Sequence, residues 1–274
     1  MTQPNSGTLT LVGTPIGNLS DFSPRAVAAL ESCDFIAAED TRVTLKLLNH
    51  FGIQKPLVSY HEHNKRERGE QLCARLLAGE NGVLVSDAGM PAISDPGEDL
   101  VALCHEKGIP VGVVPGPTAV TAALALAGMP TGRFTFEGFL SVNKKPRREH
   151  LDSLREEIRT MVFYEAPHKL KNTLADLLAA LGDRPIALVR EITKIHEEVV
   201  RTTLAEAVDK YTDREPRGEF VIIVGGAAPR AKTAATPELA KAYMAEGMSP
   251  SEAAKTAAAD CGLKKGDVYR LLMD

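Results

Sequence analysis

The sequence predicts an α/β protein. Two consecutive α/β domains, residues 1–128 and 134–226, are followed by a linker (227–237) and a small all-helical tail (238–274). Three observations predict it. Short apolar runs alternate with helical patterns at the spacing of parallel βαβ units. The alternation restarts at Phe134, after the linker-like "GMPTGRF". Beyond the small-residue stretch "AAPRAKTAATP" only short helical patterns remain, separated by "GMSPS" and "CGLKKGD" in the manner of a helix-turn-helix.

The elements follow in order. "TLTLV" is a strand, and Ser23-Pro24 opens a helix with a cap residue and proline at the first helical position. "FIAAE" is the second strand, with a helix near residues 42–50, and another helix starts near Asn64. A strand at Val83 to Ser86 leads to a helix capped by Ser94 or Asp95 and stopped at Gly108. "PVGVVPGPTAVTAALALAG" reads as strand, tight turn and helix. In the second half, "TMVFYEAP" and "RPIALVREI" are strands each expected to run into a helix, "EEVVRTTL" is an antiparallel or edge strand, and "GEFVIIVGG" is a further strand.

Composition excludes several classes. The chain has 274 residues, 44% apolar and 25% charged, which is ordinary globular usage. A net charge of −4 supplies no global field for nucleic acid, so any such contact must be local. Cys33, Cys73, Cys104 and Cys261 form no CxxC pair and read as reduced core thiols. The polar start "MTQPNSGT" and the lack of a long apolar run point to a cytoplasmic protein outside the membrane.

Four loops at strand ends are rich in glycine and proline: "GTPIGN" (13–18), "SDAGMPAISDPG" (86–97), "PGPTA" (115–119) and "YEAPH" (164–168). Ligands of open α/β sheets bind outside the carboxyl ends of strands, so the four converge on one expected crevice. Neither GxGxxG nor GxxxxGK[ST] is present. A phosphate cradle needs successive N–H groups and a lysine or arginine. Here proline removes donors from every loop, and the only formal charges are Asp87, Asp95 and Glu165. Such a pocket suits a cationic ligand with an apolar base and hydroxyls, a description that S-adenosylmethionine fits and ATP does not.

Taken in order, "VGTPIGNLSD", "AAEDTR", "SDAGMPAISDPG", "VVPGPTAVTAAL", "FEGFL", "FYEAPHKL", "REITKIHEE" and "GEFVIIVGG" resemble the tetrapyrrole-methylase (class III) methyltransferase superfamily, and within it the ribosomal RNA branch. The likeness runs from about residue 8 to 226. It implies a cofactor site for S-adenosylmethionine between the two domains. Its walls would come from Pro15 and Ile16, from Asp87, Gly89, Met90 and Ile93, from Thr118 and Ala119, from Tyr164 and Glu165, and from Gly218 and Glu219. The implied activity is 2′-O-methylation of a cytidine ribose at the decoding centre of small-subunit (16S) ribosomal RNA. The implied partners are the small ribosomal subunit and a second copy of the chain, with no metal.

Two carboxylate sets are candidates for the general base, the Glu39/Asp40 pair and Glu165, with Arg42 or Lys194 holding RNA phosphate. Asp40 and Thr41 equally suit helix caps, with Arg42 paired to a carboxylate. His168, just after Pro167, reads as surface filler, and "YHEHNKRERG" reads as a solvated helix start instead of a metal site. The basic run "NKKPRREH" offers Lys144, Lys145, Arg147 and Arg148 as RNA contacts, with Arg155 and Arg159 beyond. The tail, with seven basic and six acidic residues over 229–274, lacks a strong nucleic-acid footprint. Two alternatives stay open: a small-molecule corrin-type methylase of the same superfamily, and a non-catalytic regulator that senses S-adenosylmethionine.

Overall fold

The computed structural model describes residues 6–228, 237–261 and 263–273. Most of the expected linker and the flanks of the tail therefore lie outside the described residues. The first half contains strands β1 (Leu9–Val12), β2 (Phe35–Ala38), β3 (Leu57–Ser59), β4 (Gly82–Val85) and β5 (Val111–Val114). They form one sheet in the order β3-β2-β4-β1-β5, and every pairing is parallel. β2 and β4 are buried along their whole length, which is why they read as apolar runs without alternation. Helices α1 (Pro24–Ser32) and α2 (Thr41–His50) cover one face through Leu30 and Leu48, with Phe22 just ahead of α1. Helices α3 (Lys65–Leu77) and α4 (Gly97–Glu106) cover the other through Leu72, Leu76 and Leu100. Cys73 and Cys104, distant in sequence, meet there with their sulfurs 3.9 Å apart.

Local signals account for most of these boundaries. Ser23 caps α1, its hydroxyl accepting from the Ala26 N–H, with Pro24 at the first position. The start of α4 differs from expectation. Pro96 occupies the cap position, and the Asp95 carboxylate instead receives the Ala92 and Gly97 N–H groups, drawing the preceding loop into a tight turn.

Helix α5 (Ala119–Ala127) follows β5 but packs on the second sheet. Val120, Ala123 and Leu124 share a core with Val162, Val189, Val221 and Ile223. It therefore joins the halves and forms part of the wall between them. The second sheet contains β6 (Phe134–Phe139), β7 (Thr160–Glu165), β8 (Pro185–Arg190), β9 (Glu198–Thr203) and β10 (Phe220–Val224), ordered β6-β7-β10-β8-β9. Only β6 and β7 run parallel; the remaining pairs are antiparallel. Central β10 shows the two-residue period plainly: Phe220, Ile222 and Val224 face α6 (Lys144–Ser153), α7 (Leu170–Leu181) and α8 (Leu204–Thr212), while Val221 and Ile223 face α5.

No helix follows β8. Residues 191–197 turn straight into β9, which pairs antiparallel at the sheet edge as the sequence suggested. Glu191 and Thr193 take left-handed φ values of 51° and 67°, which closes the turn before a helix can start. The tail consists of α9 (Pro237–Ala245), α10 (Pro250–Cys261) and α11 (Lys265–Met273), with Ala240, Ala254, Ala257 and Val268 as a small core of its own. Among the described residues no helix is long and apolar enough to cross a membrane.

Candidate active site

The four glycine- and proline-rich loops do converge. Together with β6 and the start of β10 they enclose a cleft of about 1080 Å³ at the carboxyl ends of β1, β2, β4, β5 and β7. The loop after β1 and the loop after β4 are zipped together. Thr14 and Gly89 exchange both backbone hydrogen bonds (2.9 and 3.1 Å), and the Thr14 hydroxyl donates to the Ser86 carbonyl at 3.3 Å. Gly13 is required by this packing: a Cβ there would stand 2.7 Å from both the Gly116 Cα and the Met90 sulfur. The Met90 thioether in turn accepts the Gly116 N–H at 3.2 Å, tying the third loop in. Ala92 and Ser94 hold φ values of 66° and 60°, so this wall stores backbone strain of the kind that clusters at functional sites.

The cleft is acidic. Glu39, Asp87, Asp95, Glu165 and Glu219 line it, and among the described residues no lysine or arginine does. Glu39, at the carboxyl end of β2, has its carboxyl pushed up from the ordinary glutamate range by burial and then by the neighbouring Asp87 and Asp95. Asp87 is also raised, chiefly by burial, although its carboxylate accepts the Asp40 N–H at 3.0 Å. The opposite wall is aromatic and apolar. Tyr164 stacks edge-on to Phe136 at 5.0 Å and tilts against Phe139 at 5.4 Å, and Ile16, Ala119 and Val221 complete it. Carboxylates facing an apolar slot, with glycine allowing close backbone approach, fit a cationic nucleoside such as S-adenosylmethionine.

Residues 8–208 match the family model described as Tetrapyrrole (Corrin/Porphyrin) Methylases. The chain belongs to the tetrapyrrole methylase family. Its relatives include Ribosomal RNA small subunit methyltransferase I of Synechocystis sp., 47% identical over 273 residues and 98% of each chain. The protein of that name from Halalkalibacterium halodurans is 46% identical over 97% of this chain and 95% of its own. Among solved structures, a cobalt precorrin-4 methyltransferase of cobalamin biosynthesis superposes with a TM-score of 0.59 at 21% identity, covering 80% of this chain and 94% of that one. Diphthine synthase superposes at 0.61 and 16% identity, covering 80% and 90%. At those identities the solved structures speak to the tetrapyrrole methylase fold alone.

The cleft of this methylase brings together most of the residues that the resemblance implies for the cofactor walls. Ile16, Asp87, Gly89, Met90, Ile93, Thr118, Ala119, Tyr164, Glu165 and Glu219 all line the cleft. Pro15 and Gly218 do not; each sits beside a lining residue and shapes the turn that presents it. The base candidates separate. Asp40 is the cap of α2, accepting the Arg42 N–H at 2.8 Å and pairing with the Arg42 guanidinium at 2.6 Å. That pairing holds its carboxyl at about 2 and makes it a poor proton acceptor. Asp40→Ala is accordingly expected to lower the melting temperature by a few degrees while turnover stays near wild type, which paired melting and rate measurements check.

Glu165 is almost fully buried, with both oxygens engaged: one accepts the Ala166 N–H at 2.9 Å, the other the Thr173 hydroxyl. It fixes the turn that carries His168 to the cleft. Three basic candidates are likewise committed. Arg42 pairs with Asp40, and the Lys194 ammonium sits between Glu191 (2.9 Å) and Glu219 (3.0 Å). Arg147 turns inward to Asp176 at 2.7 Å and the Thr173 oxygen at 2.8 Å. Lys144, Lys145 and Arg148 stay on the surface, on helix α6 and not on a loop.

The resemblance puts "FEGFL" near the cofactor, but the sequence did not name Phe136 or Phe139 among the cleft walls. Three positions apart on a strand, they would point to opposite faces. A bulge between Phe136 and Gly138, with Gly138 at φ 62°, shifts the alternation so that both meet Tyr164.

Proposed function

We propose that this protein transfers a methyl group to the ribose 2′-hydroxyl of a cytidine at the decoding centre of the small ribosomal subunit. It is an S-adenosylmethionine-dependent methyltransferase of small-subunit ribosomal RNA, and the finer reading concerns the acceptor atom and its place. The observation that carries it is the acidic, lysine- and arginine-free cleft in a chain that matches ribosomal RNA small subunit methyltransferase I along 98% of its length. Asp87, Gly89, Met90, Ile93 and Thr118 would hold the donor against Ile16, Ala119 and Tyr164. Expected surroundings are the cytoplasm, a homodimer and no metal requirement.

When bound, S-adenosylmethionine supplies a methyl group already activated on sulfonium sulfur. The chain must therefore chiefly align acceptor and methyl, and such positioning is worth about 7–11 kcal/mol. The apolar wall of Phe136, Tyr164 and Val221 excludes water from the transfer path. Glu39 is the carboxylate we assign to receive the hydroxyl proton, because burial and the neighbouring Asp87 and Asp95 raise its basicity and outweigh the lowering effect of its hydrogen bond from the Asp87 backbone, whereas Glu165 is held on both oxygens. Asp87 faces cationic charge. Asp87→Asn is expected to weaken S-adenosylmethionine binding by on the order of tenfold to a hundredfold, the range of a charge-assisted hydrogen bond; calorimetry giving an unchanged Kd would remove Asp87 from the site.

The test of the function is label transfer from S-adenosylmethionine to small subunits taken from cells lacking this activity, beside bare ribosomal RNA and a corrin precursor. Label on a cytidine 2′-oxygen is the expected result. Transfer to the corrin precursor alone would replace it with the small-molecule reading.

A further inference from the structure

A second cavity, of about 780 Å³, lies between α6 and α7. Lys144, Arg147, Arg148, Arg155 and Lys169 line it against only Asp152 and Asp176, a local cationic excess on a chain of net charge −4. Arg148 and Arg155 share the single carboxylate of Asp152, at 3.7 and 3.3 Å, while Arg147 is the inward residue that pairs with Asp176. The groove and the active-site cleft have a common wall. Thr173 lines the groove, and its hydroxyl donates to Glu165, which lines the cleft. Arg147 donates to Thr173 from the groove floor and so braces the same wall.

The segment joining the two cavities is "FLSVN". Phe139 lines the cleft, and Ser141 and Val142 line the groove. Phe139 is 60% exposed although it sits beside the buried end of Tyr164, so one aromatic face is presented at the rim. Single-stranded nucleic acid is held by this pairing of features, an aromatic side chain for a base and a cationic track for the backbone.

We propose that the RNA strand leaves the cleft across Phe139 and enters the α6–α7 groove, with Phe139 stacking a base and Lys144, Arg148, Arg155 and Lys169 taking backbone phosphates next to the methylated nucleotide. The proposal rests on the RNA-methyltransferase reading and adds the path of the strand.

The test compares wild type, Phe139→Ala, Phe139→Tyr and the triple variant Arg148→Ala/Arg155→Ala/Lys169→Ala for methyl transfer to small subunits and for binding across a salt series. The triple variant should raise the KM for subunits with the Kd for S-adenosylmethionine unchanged. It should also flatten the slope of log affinity against log salt by about 2, roughly 0.7 for each of three single-strand phosphate contacts. Phe139→Ala should raise the same KM, and Phe139→Tyr, which keeps the stacking face, should restore it. In a separate readout, Asn172, which lines the groove, is replaced by a photo-crosslinking benzoylphenylalanine in the full chain. A crosslink to ribosomal RNA near the methylated nucleotide supports the path; crosslinks only to ribosomal protein, or an unchanged salt slope with active wild type, overturn it. Failure of the wild type to bind or methylate any RNA overturns the function reading as well, so the two failures are distinct.

Discussion

Glu39→Gln is expected to cut kcat by about 10²–10⁴-fold, the contribution of a positioned general base, while leaving S-adenosylmethionine affinity nearly intact. A sugar hydroxyl is a weak nucleophile, so removing its proton acceptor should slow transfer more than binding. The direction of the pH effect follows from the environment of Glu39. Burial, and then Asp87 and Asp95, raise its carboxyl above the ordinary glutamate value. The base form is therefore lost as pH falls through that raised value, and wild-type kcat should decline on the acid side at a higher pH than an unperturbed glutamate would give. The stability sign is opposite. A carboxyl whose folded pKa is raised costs stability once pH exceeds the unfolded value, so Glu39→Gln should melt no lower than wild type at neutral pH and should gain on it. A variant that lost both activity and stability would mark Glu39 as structural. Equal turnover of Glu39→Gln and wild type across the pH range would remove Glu39 from the role of base and leave His168, Asp87 and Asp95 as candidates at the cleft.

The largest expected loss of stability lies away from the site, at Arg184. This side chain is 7% exposed and has its guanidinium spread over three backbone carbonyls: Leu181 (3.1 Å) at the end of α7, Glu157 (3.2 Å) and Arg155. It thereby closes the connection between α6 and β7 onto the end of α7. Arg184→Met should destabilise the fold by on the order of 4 kcal/mol, because bonds from a charged donor are worth about 1.5–3 kcal/mol each and the carbonyls are left with fewer partners. Arg184→Lys should recover little, since a single ammonium lacks the planar fork that reaches three acceptors at once. Chemical denaturation gives the figure directly; a loss near that of an ordinary surface substitution would show that water replaces the guanidinium without cost. The Glu157 and Arg155 contacts lie ahead of the amino end of β7 while the cleft lies at its carboxyl end, so the folded fraction of Arg184→Met should keep its affinity for S-adenosylmethionine.

Much of the architecture was legible because local physics dictates it. The continuous apolar runs of β2 and β4 announce strands buried on both faces. The Ser23-Pro24 pair announces the start of α1, and the glycines after β1, β4 and β5 announce loops that approach one another closely. The composition of those loops, acidic and proline-broken, points to a cationic ligand.

Three things were decided only in three dimensions. The helix expected after β8 is replaced by a turn, because pairing with β9 along a whole strand outweighs the local helical signal. The roles of Asp40, Glu165 and Arg147 depended on which neighbours reached them first: a guanidinium two residues away, a hydroxyl on α7 and a carboxylate on the same helix. Phe136 and Phe139 share a face only through the bulge at Gly138, which a two-residue period does not reveal. By itself, then, the sequence determined where most of the strands and helices and the ligand loops lie, since burial period and capping act over a few residues. Only the tertiary structure decided which cleft carboxylate has its basicity raised, because that depends on burial and on Asp87 and Asp95 being brought beside Glu39 from a distant loop.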